Sequence, residues 1–164
     1  MRGHRTRDLA VMGLLAALLF AGQVALASLP NVEIVSLVVI LYALALGRRV
    51  FPVIYTFVLL EGIFYGFGIW WISYLYVWPA LALFAMAFRK VDSPVFFSIL
   101  SGFFGLFFGA LCAVPYFFAG GPAAAFAYWI SGIPFDLVHC GGNFILCLAL
   151  FRPLKRVITA LTSD

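Results

Sequence analysis

Carboxylates, amides and an imidazole interrupt stretches of this chain that are otherwise almost wholly apolar, and their placement is not random. Glu61 stands within Val58-Leu59-Leu60-Glu61-Gly62-Ile63-Phe64, Gln23 lies late in another apolar run, and Asn31 and Glu33 share a short turn. Asp136, His139 and Asn143 fall at i, i+3 and i+7, which puts them on one helical face. An ionisable group at membrane depth costs about 2.5–3.5 kcal/mol on insertion scales, so each is a candidate site residue. The set is rich in acceptors and contains no Lys or Arg. That balance points to a ligand that is cationic or rich in N–H donors, and away from a free carboxylate. Aromatic residues are expected at the same level: Tyr65, Trp70, Trp71, Tyr74, Trp78, Tyr128 and Trp129. Tyr74 and Trp78, one helical turn apart, are placed to stack on a planar ligand. Trp70, Trp71 and Trp129 also fit the interfacial anchoring common to Trp and Tyr. Structural roles compete for the acids: Asp136 with His139 as an ion-paired core couple, and Glu33 as an exposed charge at a helix N-terminus after Pro30-Asn31.

Such residues need elements to hold them at one depth, and the composition leaves one class of element. At 66% hydrophobic and 10% charged, a chain of 164 residues has too little polar surface to dissolve in water. Spanning helices need about 20 apolar residues each, so six consume nearly the whole chain, and the alternating pattern of barrel strands is missing. The spans predicted are Asp8–Ser28, Val32–Leu46, Phe51–Gly66, Ile69–Phe88, Pro94–Phe118 and Ile133–Phe151. Arg2, Arg5 and Arg7 precede the first; Arg48 and Arg49 follow the second, Arg89 and Lys90 the fourth, and Arg152, Lys155 and Arg156 the sixth. The intervening turns, Leu29–Glu33, Phe67–Gly68 and Ala119–Pro122, carry no Lys or Arg. The positive-inside rule then places both termini in the cytoplasm, and the candidate site residues in the outer half of an all-α, polytopic bundle forming a single domain. The net charge of +4 is topological under this reading, with no nucleic-acid partner implied.

The start of the chain imitates a secretory signal, with Arg-rich Met1–Arg7, an apolar stretch and Ala25-Leu26-Ala27 before Ser28. The apolar stretch exceeds the ~7–15 residues of a signal core, so it is read as the first helix. Cys112, Cys140 and Cys147 have neither metal-binding nor disulfide spacing and read as small packing residues. Small residues every four positions allow close helix approach in lipid. Gly13, Ala17, Ala21 and Ala25 form such a stripe on the first helix, Gly62 and Gly66 on the third, and Gly105 and Gly109 on the fifth. The long first stripe suits an outward face for another membrane subunit; the others suit internal packing.

Taken together, the short helices, the Gly/Ala stripe ending at Ala25 and the turn Ser28-Leu29-Pro30-Asn31-Val32-Glu33 resemble the S components of energy-coupling factor (ECF) transporters. The stretch Ser131-Gly132-Ile133-Pro134-Phe135-Asp136-Leu137-Val138-His139, with Asn143 and then Leu150-Phe151-Arg152-Pro153-Leu154, extends the resemblance over essentially the whole chain. The resemblance implies a multi-pass subunit of a prokaryotic cell membrane that captures a vitamin or precursor from outside. It implies docking, through Gly13, Ala17, Ala21 and Ala25, on a transmembrane coupling subunit that works with two cytoplasmic ATPases, and toppling of the S component in the membrane to carry its cargo. The turn after helix one and the outer parts of helices four to six would form the pocket. The substrate-binding residues expected here are Gln23, Asn31, Glu33, Glu61, Tyr65, Trp71, Tyr74, Trp78, Asp136, His139 and Asn143.

No G-x-x-x-x-G-K-[ST] motif is present, so this chain is expected to bind no cofactor and any ATP is used by partner subunits. Acids and aromatics together favour an amine-bearing nitrogen heterocycle such as a thiamin moiety, a pyridoxamine-like compound or a queuosine-type base, with corrinoids and flavin-like rings as further options. A different class, a proton-coupled secondary carrier, would use Glu61, Asp136 and His139 as a relay, but residues 8–66 and 69–151 show no convincing internal repeat. An intramembrane enzyme is disfavoured: the only other histidine, His4, lies far from His139, and no Ser-centred nucleophile motif occurs.

Overall fold

The computed structural model describes residues 2–29 and 32–162, and among these the chain is all-α with no strand. Its helices are α1 (Arg2–Leu26), α2 (Val35–Leu46), α3 (Val50–Tyr65), α4 (Ile69–Ala87), α5 (Pro94–Leu106), α6 (Phe108–Cys112) and α7 (Val114–Thr162), with a single 3-10 turn at Gly47–Arg49. Among the described residues, three stretches are long and apolar enough to cross a membrane: Thr6–Leu26, Val35–Tyr65 and Ile69–Ala87. The second cannot be one straight rod. Glu33 just ahead of α2 and Glu61 in α3 line the same cavity, whereas 28 residues of continuous helix would hold them roughly 42 Å apart. The chain therefore folds back at Gly47–Arg49.

Helix α2 is the centre of the bundle. Val35, Leu37, Val39, Ile40 and Leu41 are fully buried along it, and it packs chiefly against α4 and α7. Around it, α1 lies on α3, α3 on α4, and α5 on α7. Phe57 of α3, Trp78 of α4 and Phe104 of α5 interlock at ring separations of 6.2 and 5.6 Å. Outside, Leu14, Leu18, Phe84, Phe103, Leu137 and Ile145 are all about half exposed or more. An apolar surface of that extent needs lipid as its solvent.

The predicted fifth span, Pro94–Phe118, is corrected to a broken path. Ser93 caps α5, its hydroxyl accepting from the Phe96 N–H at 3.3 Å, and Pro94 starts the helix. The ladder then fails twice for identifiable reasons. The Gly109 N–H donates to the Asp136 carboxylate at 2.9 Å, which draws it away from its own helix. Pro115 has no N–H to offer the Leu111 carbonyl; the Tyr76 hydroxyl donates to that oxygen instead, at 2.6 Å. The Ser73 hydroxyl does the same for the Cys112 carbonyl at 3.4 Å.

The predicted turn Ala119–Pro122 holds a reversal at Gly121, but the predicted start of the sixth span at Ile133 is corrected. Helix resumes at once after Gly121, whose φ of 78° and ψ of −177° break α7 into arms 114–120 and 122–162. Only glycine adopts that backbone without strain. Tyr116 and Tyr128 stack at 4.1 Å across the break, where twelve residues of unbroken helix would separate them by about 18 Å, so the chain reverses here. The second arm is about 60 Å long and runs past the predicted end at Phe151 to Thr162.

Lys and Arg residues distant in sequence gather at one end of the bundle. Arg7 and Arg49 flank one cleft with Leu46 and Leu161, and Arg89 and Lys155 flank another with Leu44 and Ile158. Asp8 contacts Arg49 at 3.8 Å and Asp92 accepts from Lys155 at 2.6 Å, exposed pairs worth little individually.

Gly105 and Gly109 pack internally, whereas Gly66 of the other short stripe ends α3 and faces open space. A Cβ at Gly105 would meet the His139 carbonyl at 2.8 Å, so α5 and α7 touch backbone to backbone. Gly13, by contrast, faces open space, and Ala17, Ala21 and Ala25 are exposed with it. Gly105→Ala is expected to lower stability by about 1–3 kcal/mol through overpacking, and Gly13→Ala, in open space within α1, to leave it unchanged or raise it by up to about 1 kcal/mol; thermal melts of the two variants in one detergent check the contrast.

Candidate functional site

At the end of the bundle remote from the basic clusters lies a cavity of about 350 Å³, walled by α1, the turn after it, α3, α4, α6 and α7. Distance along α7 separates the two ends: His139 lines the cavity, and Lys155, sixteen residues on, lies roughly 24 Å away. Of the predicted residues, Gln23, Glu33, Glu61, Tyr65, Tyr74, Trp78 and His139 line this cavity. Asn31 lies outside the described residues.

Glu33 is the most heavily engaged. One carboxylate oxygen accepts the Ser36 N–H at 2.8 Å; the other meets the Ser36 hydroxyl and the His139 Nε2 at 3.0 Å. Asn143 extends the network, its amide donating to the Ser36 hydroxyl at 3.1 Å and to the Ser101 carbonyl at 3.4 Å. Glu33 thus does meet a backbone N–H at the start of α2, but as a buried group rather than an exposed cap. Burial opposes its charge, yet hydrogen bonds and the coulombic interaction with His139, together with the Ser36 hydrogen bonds, outweigh that, and the carboxyl is held below its ordinary value of 4.5. A carboxylate only accepts, so His139 Nε2 carries the proton. Nδ1 has no partner among the described residues.

Asp136 and His139 share a face as predicted, but they are not each other's partners. His139 turns to Glu33 and stands edge-on to Phe108, ring centroids 4.9 Å apart. Asp136 turns to the Gly109 N–H, with its second oxygen buried and unpartnered. Asp136 and Asn143 are buried behind the cavity wall rather than in it.

Along α4, Trp70, Tyr74 and Trp78 form an edge-to-face ladder at 5.1 and 5.4 Å, and all three border the cavity. Trp71 does not. Its indole N–H donates to the Val58 carbonyl at 2.8 Å, and its ring packs on Phe67 and over Gly62. One residue of helix turns the side chain by about 100°, so Trp70 and Trp71 exchange the roles assigned to them. Sequence reasoning also missed Phe108 and Ser36; for Ser36 the signal was its position three residues after Glu33, the reach of a side chain to a helix start.

Three buried polar atoms around the cavity lack partners among the described residues: Glu61 Oε1, Trp78 Nε1 and His139 Nδ1. Each such atom costs about 1–3 kcal/mol unless something bonds to it. One is an acceptor, one a donor, and the third accepts in the neutral ring and donates in the imidazolium, so a complementary ligand carries both an N–H or O–H and an acceptor. No group of three potential metal ligands occurs among the described residues. In comparisons with protein-family models, curated proteins and solved structures, the chain matches none.

Removing one partner of a buried pair strands the other. His139→Ala is expected to cost about 3–5 kcal/mol of stability, most of it recovered in Glu33→Gln/His139→Ala, as read by denaturant melts. Because the folded-state pKa of Glu33 is depressed, its contribution is present above about 4.5 and lost as pH falls through the lowered value. Glu33→Gln should flatten that acid limb of the stability curve.

Proposed function

We propose that this chain is the substrate-binding S component of an ECF-type vitamin importer, crossing a prokaryotic cell membrane six times with both termini in the cytoplasm. The six passes are α1, α2, α3, α4, the path from α5 to residue 120, and the second arm of α7. The observation that carries the reading is the cavity itself: enclosed by aromatics, lined by Glu33, Glu61 and His139, and set at the end opposite the gathered cations. With the basic end inside, the cavity opens outward. It is a capture site rather than a channel.

The ligand is an amine-bearing nitrogen heterocycle. Glu61 receives its N–H or cationic group, Trp78 donates to a ring acceptor, and the aromatic ladder contributes apolar wall. A volume near 350 Å³ is at the small end for small-molecule sites, which favours thiamin-, pyridoxamine- or queuosine-like compounds over corrinoids. The exposed face of Gly13, Ala17, Ala21 and Ala25 meets the coupling subunit, and the two ATPases bind and hydrolyse ATP. A proton relay through Glu61, Asp136 and His139 fits less well. Asp136 is tied to Gly109 and His139 to Glu33, with no hydrogen bond between relay members.

Native mass spectrometry of the full chain, purified from its own host, is expected to find a co-purified heterocycle; a ligand-free protein that moves protons in liposomes without ATPases would overturn the proposal. Glu61→Gln should weaken binding of a cationic ligand by about tenfold or more, the loss of one charge-assisted hydrogen bond worth ~1.5–3 kcal/mol. Ala21→Trp should abolish uptake and leave ligand affinity unchanged, since the added bulk lies on the subunit face and away from the cavity.

A further inference from the structure

A second large cleft lies at the basic end, and the capture of a vitamin gives it no role. It has a volume of about 600 Å³ and is bordered by Asp92, Phe151, Arg152, Lys155, Arg156 and Thr159. Arg152, Lys155, Arg156 and Thr159 stand at i, i+3, i+4 and i+7, so one face of α7 presents three cations and a hydroxyl together. Asp92, reaching over from the connection between α4 and α5, accepts from Lys155. Neither Arg152 nor Arg156 has an ion-pair partner among the described residues, and both are exposed.

A helix macrodipole does not account for the cluster, because that effect fades beyond the last turn and α7 runs on to Thr162. The positive-inside rule accounts for the charge but not for its convergence on a cleft with an apolar floor. Phe151 is fully buried at that floor. Three cations and a hydroxyl therefore converge on one cleft at the end of the bundle where a phospholipid of the adjoining leaflet presents its phosphate.

We propose that this cleft binds the phosphate-bearing headgroup of an anionic phospholipid from the adjoining leaflet, with Arg152 and Arg156 on the phosphate. Arginine's fork matches phosphate oxygens in pairs. Thr159 adds a hydroxyl donor, and Asp92 limits affinity by occupying Lys155. The site rests on the bundle lying in a bilayer and is independent of what the opposite cavity holds.

The test is retention of lipid by the full-length chain in detergent, offered equal phosphatidylglycerol and phosphatidylcholine and read by native mass spectrometry. Wild type should retain phosphatidylglycerol selectively. Each cation near an anionic headgroup is worth about fivefold, so Arg152→Gln/Arg156→Gln should weaken retention about thirtyfold. Arg152→Lys/Arg156→Lys should retain part of it, and Asp92→Asn, which removes a competing carboxylate, should strengthen it; melting temperatures establish that each variant is folded. Equal retention of the two lipids overturns the proposal. So does an unchanged affinity in a folded double glutamine variant, or displacement of the lipid by inorganic phosphate as readily as by phosphatidylglycerol.

Discussion

With apolar side chains covering the outside of this bundle, every buried charge has to be satisfied from within, and the carboxylate of Glu33 is where that demand is greatest. It is met by the start of α2 and by His139 on α7. The bond to His139 joins residues 106 apart in sequence. Asn143 and Ser36 tie the same two helices again, one turn further along. Where α2 and α7 meet, their register is thus set by hydrogen bonds rather than by apolar contact, which has no directional preference. The backbone contact between Gly105 and His139 serves the same end, because it brings α5 close enough for Ser101 to join the network.

That register decides the shape of the cavity. His139 and Glu33 line it side by side because α2 and α7 are locked, and Phe108 joins the lining where the ladder of the preceding helix fails. A straight helix through residues 94–118 would keep the Gly109 N–H for itself and deprive Asp136 of its partner. The break is stabilised by Tyr76 and Ser73 of α4, which occupy carbonyls that the Pro115 interruption sets free. Helices α4, α6 and α7 are thereby bonded to one another around the site.

Periodicity made the helical class, the shared face of Asp136, His139 and Asn143, and most of the cavity's polar lining legible before any coordinates. Partner choice was not. An i, i+3 spacing places two groups on one face but says nothing of which neighbour each will meet, and His139 finds Glu33 through tertiary packing alone. The exchange between Trp70 and Trp71 has the same origin, since the phase of a helix that is apolar all round is set by its neighbours. One miss was readable, since Pro115 marks the break at 112–114, whereas the reversal at Gly121 falls inside the turn expected at Ala119–Pro122. The long first stripe and the Gly105–Gly109 stripe differ in what faces them, α7 for Gly105 and open space for Gly13.

The second arm of α7 carries His139 and Arg156 on a single stretch of helix. Such a rod acts mechanically as a lever. Tilting it by about 20° displaces Lys155 sideways relative to His139 by roughly 8 Å, given the ~24 Å between them. A modest rocking of the bundle against a fixed neighbour would therefore shift one face of the molecule by more than the width of a side chain, with no bond in the Glu33 network broken. Length in this helix converts rotation into travel.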